Sequence, residues 1–273
     1  MQMVDFPQSS TLKTANWAVS RVCAKIIMSV VSAKSVVGVL CQTALLVVIQ
    51  WMTTSALIDL AKLYLPTTFT RSGWHYGYTG HFIQCLVALA IMAVLKPFFT
   101  GTFGLRLPRG RSYAWPALWI GALAGPMMLV VDYYPDLLHR HAPAGPYDTH
   151  LGNMVPWLLM QGGFVGITEE LVFRSLFLGY MLARFPAKLR VGSYQVSWAG
   201  IILALVFALA HANSFWHEPF LSALGQQIYV FLLGVFYAYL FEESGSVLAP
   251  VIAHNAGDFV EWCVCFLLRA VWK

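Results

Sequence analysis

The sequence predicts an all-α polytopic bundle of about seven transmembrane helices, preceded by an amphipathic surface helix. Of its 273 residues 59% are hydrophobic and only 11% charged, and the mean hydropathy is +0.66. Soluble globular proteins carry roughly 25% charged residues, so a soluble helical core is disfavoured. Apolar windows of about 20 residues, the length that crosses a hydrocarbon core of about 30 Å, also recur along the chain.

Residues 1–35 differ from the rest, because Arg21, Lys25 and Lys34 interrupt an apolar stretch too often for it to span. That pattern predicts a helix lying on the membrane surface, and the absence of a small-residue cleavage site argues against a removed signal peptide. Spans follow near 36–57, 81–99, 113–131, 153–181, 196–213, 220–241 and 246–268. Basic residues gather in the N-terminal segment, in the loop with Arg106, Arg109 and Arg111, and in the loop with Arg184, Lys188 and Arg190. These alternate loops are expected on the cytoplasmic side. Asp132, Asp136 and Glu218 fall in loops on the opposite side, the loop with Lys62 and Arg71 is ambiguous, and Glu242 and Glu243 are weak topology signals.

No repeat or long linker divides the chain, which reads as one membrane domain over 1–273. The segment from Asp132 to Asn153 is polar enough for a flexible excursion, and its His139, His141 and His150 are a weak metal-binding candidate. The scattered cysteines form no disulfide or metal pattern. Tryptophans such as Trp115, Trp119, Trp157 and Trp262 sit near span ends, where they are expected to anchor helices at the interface.

The stretch from Gly162 to Arg174, GGFVGITEELVFR, places two glutamates and an arginine inside an apolar span. Charges there are costly and mark function by default. On a helix Glu170 and Arg174 lie four apart and share a face, so they can neutralise one another. Glu169 points about 100° away and is left to face a cavity. Gly162, Gly163 and Gly166 either let a neighbouring helix approach closely or leave room for water or substrate. Two later spans each carry a histidine deep in apolar sequence, His211 and His254. A single such histidine is explained well enough by a bond to a neighbouring helix. A glutamate and two histidines together can activate water and stabilise an oxyanion, the requirements for hydrolysing an amide. Gln226, Gln227, Tyr229, Tyr237 and Tyr239 in the sixth span suit either a substrate path or ordinary packing.

With these residues in place, the chain resembles the CPBP (CAAX protease and bacteriocin-processing) intramembrane endopeptidases, which include the Rce1-type CAAX prenyl proteases. Glu169, Glu170 and Arg174 fit the EExxxR motif, Phe207 and His211 fit FxxxH, and His254 with Asp258 fits HxxxN/D. The resemblance covers residues 150–268, a CPBP-like catalytic core. It implies that Glu169 acts as general base on a water positioned by His211, and that His254 and Asp258 hold the oxyanion, with Glu170 and Arg174 supporting the site. Many family members carry asparagine where this chain has Asp258. An aspartate there must either stay protonated and donate, or accept from His254 one turn away and hold it as a charged donor. Asn255 is a further candidate oxyanion donor, although it projects about 100° from His254.

The preferred reading requires no cofactor. Zinc is the alternative, because His211, His254 and Glu169 supply the ligand types of a catalytic zinc centre, although HExxH is absent. The expected partners are the lipid bilayer and a protein or peptide bearing a lipid anchor or hydrophobic terminus: a CAAX-like tail, a C-terminal sorting tail or a bacteriocin precursor. Nothing points to nucleic acid. The expected location is integral and multi-pass, in the cell membrane for a prokaryotic chain. The rival readings are a non-catalytic immunity or scaffold protein on the same fold and, less favoured for want of paired half-repeats, a transporter.

Overall fold

Helices α1 (Val36–Tyr64), α2 (Gly73–Leu95) and α3 (Ala114–Leu138) open the bundle. A composite helix α4 follows over 151–182, then a short antiparallel hairpin of β1 (Lys188–Val191) and β2 (Tyr194–Ser197), and helices α5 (Trp198–Ala210), α6 (Phe220–Ser244) and α7 (Leu248–Val271). The computed structural model describes residues 35–70, 73–109, 113–143 and 149–272. All but Ser35 of the expected surface helix therefore lies outside the described residues. Ser35 itself caps α1, its Oγ accepting from the Gly38 amide at 3.0 Å.

Counting short terminal extensions, α1, α2, α3, α5, α6 and α7 are each long and apolar enough to cross a membrane, and the chain is a multi-pass integral membrane protein. The buried stripe of α1, formed by Val39, Gln42, Thr43, Leu46 and Gln50, follows helical spacing. Its other faces expose Val37, Trp51, Leu60 and Leu63. Large apolar side chains stand out in the same way on α3 (Leu123), α5 (Leu205) and α6 (Leu232). So much exposed apolar surface suits hydrocarbon, not water.

The fourth expected span departs from a regular helix. In α4 the α-helical pieces Leu151–Leu159, Gly166–Glu170 and Gly179–Leu182 alternate with π-helical turns Met160–Val165 and Leu171–Leu178. A π-turn shifts each N–H to a carbonyl five residues back and leaves backbone groups to be satisfied elsewhere. The hairpin is a further departure from an all-helical chain. It carries the expected basic loop, and Lys188 Nζ lies 3.4 Å from Glu242 Oε2. Arg106 donates from Nε to the Gly245 carbonyl at 2.8 Å, where Gly245 closes α6 in a left-handed conformation with φ +62°. Two basic loops thus meet at one end of the bundle, beside the turn between α6 and α7.

The expected excursion from Asp132 to Asn153 is shorter than its polarity suggested, since α3 runs to Leu138 and α4 resumes at Leu151. His139 Nδ1 bonds the Pro135 carbonyl, and His150 caps α4 by accepting from Gly152 N. No group of three or more His, Cys, Asp or Glu among the described residues is arranged to hold a metal ion.

Helices α3 and α7 pack most intimately. A Cβ on Gly121 would meet the Ala253 carbonyl oxygen at 2.1 Å, and one on Gly125 would meet the Gly257 carbonyl oxygen at 2.6 Å. Small residues four apart permit this approach, which brings the polar face of α7 against Asp132. Gly121→Ala is expected to lower stability by about 1–3 kcal/mol through overpacking against backbone. Gly80→Ala, whose Cβ would meet nothing nearer than 3.9 Å, is expected to hold or raise stability. Thermal melts of the two purified variants in one detergent check the contrast, and equal midpoints would contradict it.

Candidate active site

Helix α4 carries Glu169 and Glu170 in its central α-helical turn. Glu170 is fully buried, and its Oε1 accepts from Arg174 Nη1 at 3.0 Å and from His254 Nδ1 at 2.8 Å. Arg174 sends Nη2 to the Gly234 carbonyl at 3.1 Å and lies over the rings of Phe207, at 4.6 Å, and Tyr237, at 5.3 Å. One carboxylate therefore ties α4 to α7, while its guanidinium partner ties α4 to α5 and α6. Cation–π contact of this kind gains strength when desolvated.

Glu169 is turned away from that network. Its side chain keeps 17% of its surface exposed, and Oε2 lies 3.9 Å from His254 Nε2, too far for a hydrogen bond. It lines a cavity of about 610 Å³ that also receives His81, His211, His254 and Asp258. The cavity opens among residues near the ends of α2, α3 and α5, at the end of the bundle away from Arg106 and Lys188.

The partners of each imidazole fix how it is presented. His211 closes α5, and its Nδ1 lies 2.9 Å from the Phe207 carbonyl, one of the oxygens left open at a helix end. A carbonyl only accepts, so Nδ1 carries the hydrogen and Nε2 is the open nitrogen. His81 has the same tautomer for another reason. Thr168 donates its single hydroxyl proton to the Val165 carbonyl at 2.8 Å, so its oxygen must accept from His81 Nδ1, also at 2.8 Å. His254 points Nδ1–H at Glu170, lies against Tyr237 with ring centroids 5.2 Å apart, and directs Nε2 toward Asp258 Oδ2 at 3.5 Å and toward Glu169.

Asn255 is not a spare donor. Its Oδ1 accepts from Gly166 N at 2.8 Å and its Nδ2 reaches the Gly163 carbonyl at 3.3 Å. The side chain thus serves backbone groups that the π-turn leaves open, which corrects its expected place at the oxyanion. The glycines divide accordingly. A Cβ on Gly166 would strike Asn255 Oδ1 at 2.4 Å, one on Gly162 would meet Phe259, and one on Gly163 would meet nothing within 4 Å. Gly166 and Gly162 admit α7, and Gly163 leaves space. Trp157 and Trp262 pack edge to face at 4.9 Å and line the cavity.

His81 enters the site without having been singled out in the sequence, while Tyr237, read there as suiting a substrate path or packing, lines the cavity against His254. The one signal for His81 was an ionisable residue within an apolar helix, the same signal that drew notice to His211 and His254. The residues of the alternative zinc set, Glu169, His211 and His254, all line the large cavity. On the far side of Glu169 and His211 lies a second, mostly apolar cavity of about 490 Å³, lined by Val47, Trp51, Phe173, Phe177 and Leu209, with Gln50 at its wall.

Residues 151–260 match the family model described as type II CAAX prenyl endopeptidase Rce1-like. CAAX prenyl protease 2 of Arabidopsis thaliana is 23% identical over 244 residues, covering 73% of this chain and 74% of that protein. No solved structure matches the chain.

Breaking a buried ion pair from one side leaves an uncompensated charge, so Arg174→Met is expected to cost about 3–5 kcal/mol. The double variant Glu170→Gln/Arg174→Met is expected to be more stable than the sum of the two single losses by about 0.5–3 kcal/mol. Denaturation midpoints of the three variants give the coupling, and strict additivity would show that the pair does not act as a unit.

Proposed function

We propose, for a chain that belongs to the Rce1-type family of CAAX endopeptidases, that it hydrolyses a peptide bond within the membrane by using Glu169 to activate a water. The observation that carries this reading is the division of the two glutamates. Glu170 is held by Arg174 and His254, while Glu169 faces a cavity together with three imidazoles and Asp258.

Glu169 takes a proton from a water that His211 positions by accepting through Nε2. The resulting hydroxide attacks the scissile carbonyl carbon, and the carbonyl oxygen gains negative charge. His254, anchored through Nδ1 on Glu170, donates from Nε2 to that oxygen. Asp258, 3.5 Å from Nε2, keeps a proton on this nitrogen in the resting site and yields to the substrate oxygen as it arrives. The departing amine takes its proton from Glu169, which restores the carboxylate. Preorganised donors aimed at developing charge are often the largest single contribution in such reactions. No step in this reading draws on a metal.

The apolar cavity behind Glu169 and His211 supports a substrate whose reactive bond adjoins a hydrophobic segment or lipid anchor. Its wall carries the buried Gln50, whose Nε2 donates to the Gln84 carbonyl at 3.0 Å while Oε1 has no partner among the described residues. That oxygen is placed to accept from a peptide N–H. A prenylated CAAX-like tail has this chemistry, as do sorting tails and bacteriocin-type precursors with apolar ends.

Glu169→Gln is expected to lower the cleavage rate of a prenylated tail peptide by about 10²-fold or more while leaving the melting midpoint close to wild type. Cleavage at the wild-type rate would overturn the mechanism. Treatment with a zinc chelator is expected to leave activity intact, and loss that added zinc restores would show that the metal-free route is wrong.

A further inference from the structure

The large cavity has a second polar pole that the proposed hydrolysis does not use. Asp132 stands beside a kink in α3, where Tyr133 leaves helical geometry (φ −118°, ψ 19°) two residues before Pro135. A proline ring clashes with the carbonyl four residues back and opens the helix there. Asp132 Oδ2 accepts from Tyr229 OH at 2.7 Å, and Gln226 and Glu261 line the large cavity with it. A smaller cavity of about 90 Å³ adjoins this pole. Asp132, Tyr133 and Gln226 line both spaces, and Ser214, Ser222 and the exposed Glu218 complete the smaller one.

Three observations define what would fit. Ser222 is 2% exposed, lines the small cavity, and its Oγ has no hydrogen-bond partner among the described residues. Among the described residues no lysine or arginine lines either cavity, so nothing there matches a carboxylate ligand. Tyr229 has already given its proton to Asp132, so its oxygen joins the carboxylates in offering lone pairs. A ligand that supplies donors, accepts none and brings positive charge is an ammonium or guanidinium group.

We propose that Asp132, Glu261, Tyr229, Gln226 and Ser222 form a cation subsite for a positively charged group of the substrate, on the reading that the large cavity is where the peptide lies. Two sources share this chemistry: a basic side chain near the scissile bond, and the α-ammonium group that hydrolysis creates on the leaving peptide. A free C-terminal carboxylate would meet like charge at this pole.

Binding to the Glu169→Gln protein in nanodiscs, read by titration calorimetry, tests the subsite without requiring turnover. One arm compares a tail peptide carrying lysine with its norleucine twin. The other compares the leaving peptide with a free amine against the same peptide acetylated. The cationic member of at least one pair is expected to bind about tenfold more tightly, as suits a hydrogen bond to a charged group, and the arm that shows it identifies the source. Adding Asp132→Asn is expected to collapse that ratio, and so is Ser222→Val, which fills the small cavity without altering charge. Equal binding within both pairs, or a ratio that survives both substitutions, overturns the subsite. Wild-type cleavage without any such ratio would defeat the subsite and leave the hydrolytic reading standing. A ratio in a protein that cleaves none of the peptides would do the reverse.

Discussion

Everything at the centre of this bundle depends on the Glu170 carboxylate, which holds Arg174 with one hydrogen bond and His254 with another. Desolvating an ion costs several kcal/mol even after relaxation, and in a membrane no water is at hand to reduce that cost. The arrangement persists because each charge is met at once by an opposite charge, a carbonyl dipole or a ring face. Gly234 O and the faces of Phe207 and Tyr237 complete the shell of Arg174. This network fixes the ring of His254 and holds the guanidinium on Glu170, while Glu169 projects from the next position to the cavity. A carboxylate bonded bidentate to arginine would make a poor base. Occupying Arg174 elsewhere is what gives Glu169 its chemical freedom.

The π-helical turns on either side of the two glutamates have a complementary role. Widening a helix by one residue per turn leaves amides without their usual acceptors, which inside a membrane is costly unless another group supplies the bond. Asn255 supplies it, accepting from Gly166 and donating to Gly163. The contact needs α7 so near that any side chain at position 166 would collide with it. The same helix presents His254 one residue earlier and Asp258 one turn later. Stitching the π-turn to Asn255 therefore also sets the depth at which His254 meets Glu170 and Asp258 faces the cavity.

Much of the fold was legible in the sequence because span length and apolarity are local properties, and six of the expected spans are helical segments long and apolar enough to cross a membrane. The separation of Glu169 from Glu170 was legible too, since both lie on one regular turn where 100° per residue holds. What stayed hidden depended on how helices pack. The π-turns have no composition that distinguishes them from α-helix. The Gly121 and Gly125 pair seats α3 on α7, yet it looks like any small-residue spacing until its partner is known. Asn255 was read as a spare amide because its backbone partners lie about ninety residues away. His81 joins the site through Thr168 for the same reason. Phe207 was legible as half of a motif, but its contact with Arg174 appears only once α4 and α5 are side by side.

Hydrolysis within a bilayer faces a contradiction, since the reaction needs water and the substrate needs hydrocarbon. Here Glu169 and His211 belong to both cavities, one lined by carboxylates, imidazoles and tyrosines, the other mostly by aliphatic and aromatic side chains. Glu169 and His211 stand between the two spaces. On the proposed reading, water and the polar part of the peptide meet Glu169 from the polar side, while an apolar segment or anchor lies against the opposite face. In this arrangement the reacting atoms can meet only where the two spaces touch, and Phe207 bounds that boundary on the polar side, its ring packed against both Arg174 and His211. A side chain that supports the buried ion pair thereby also shapes the cavity that Glu169 faces. For that reason the structural network and the chemistry of this site are not separable by residue.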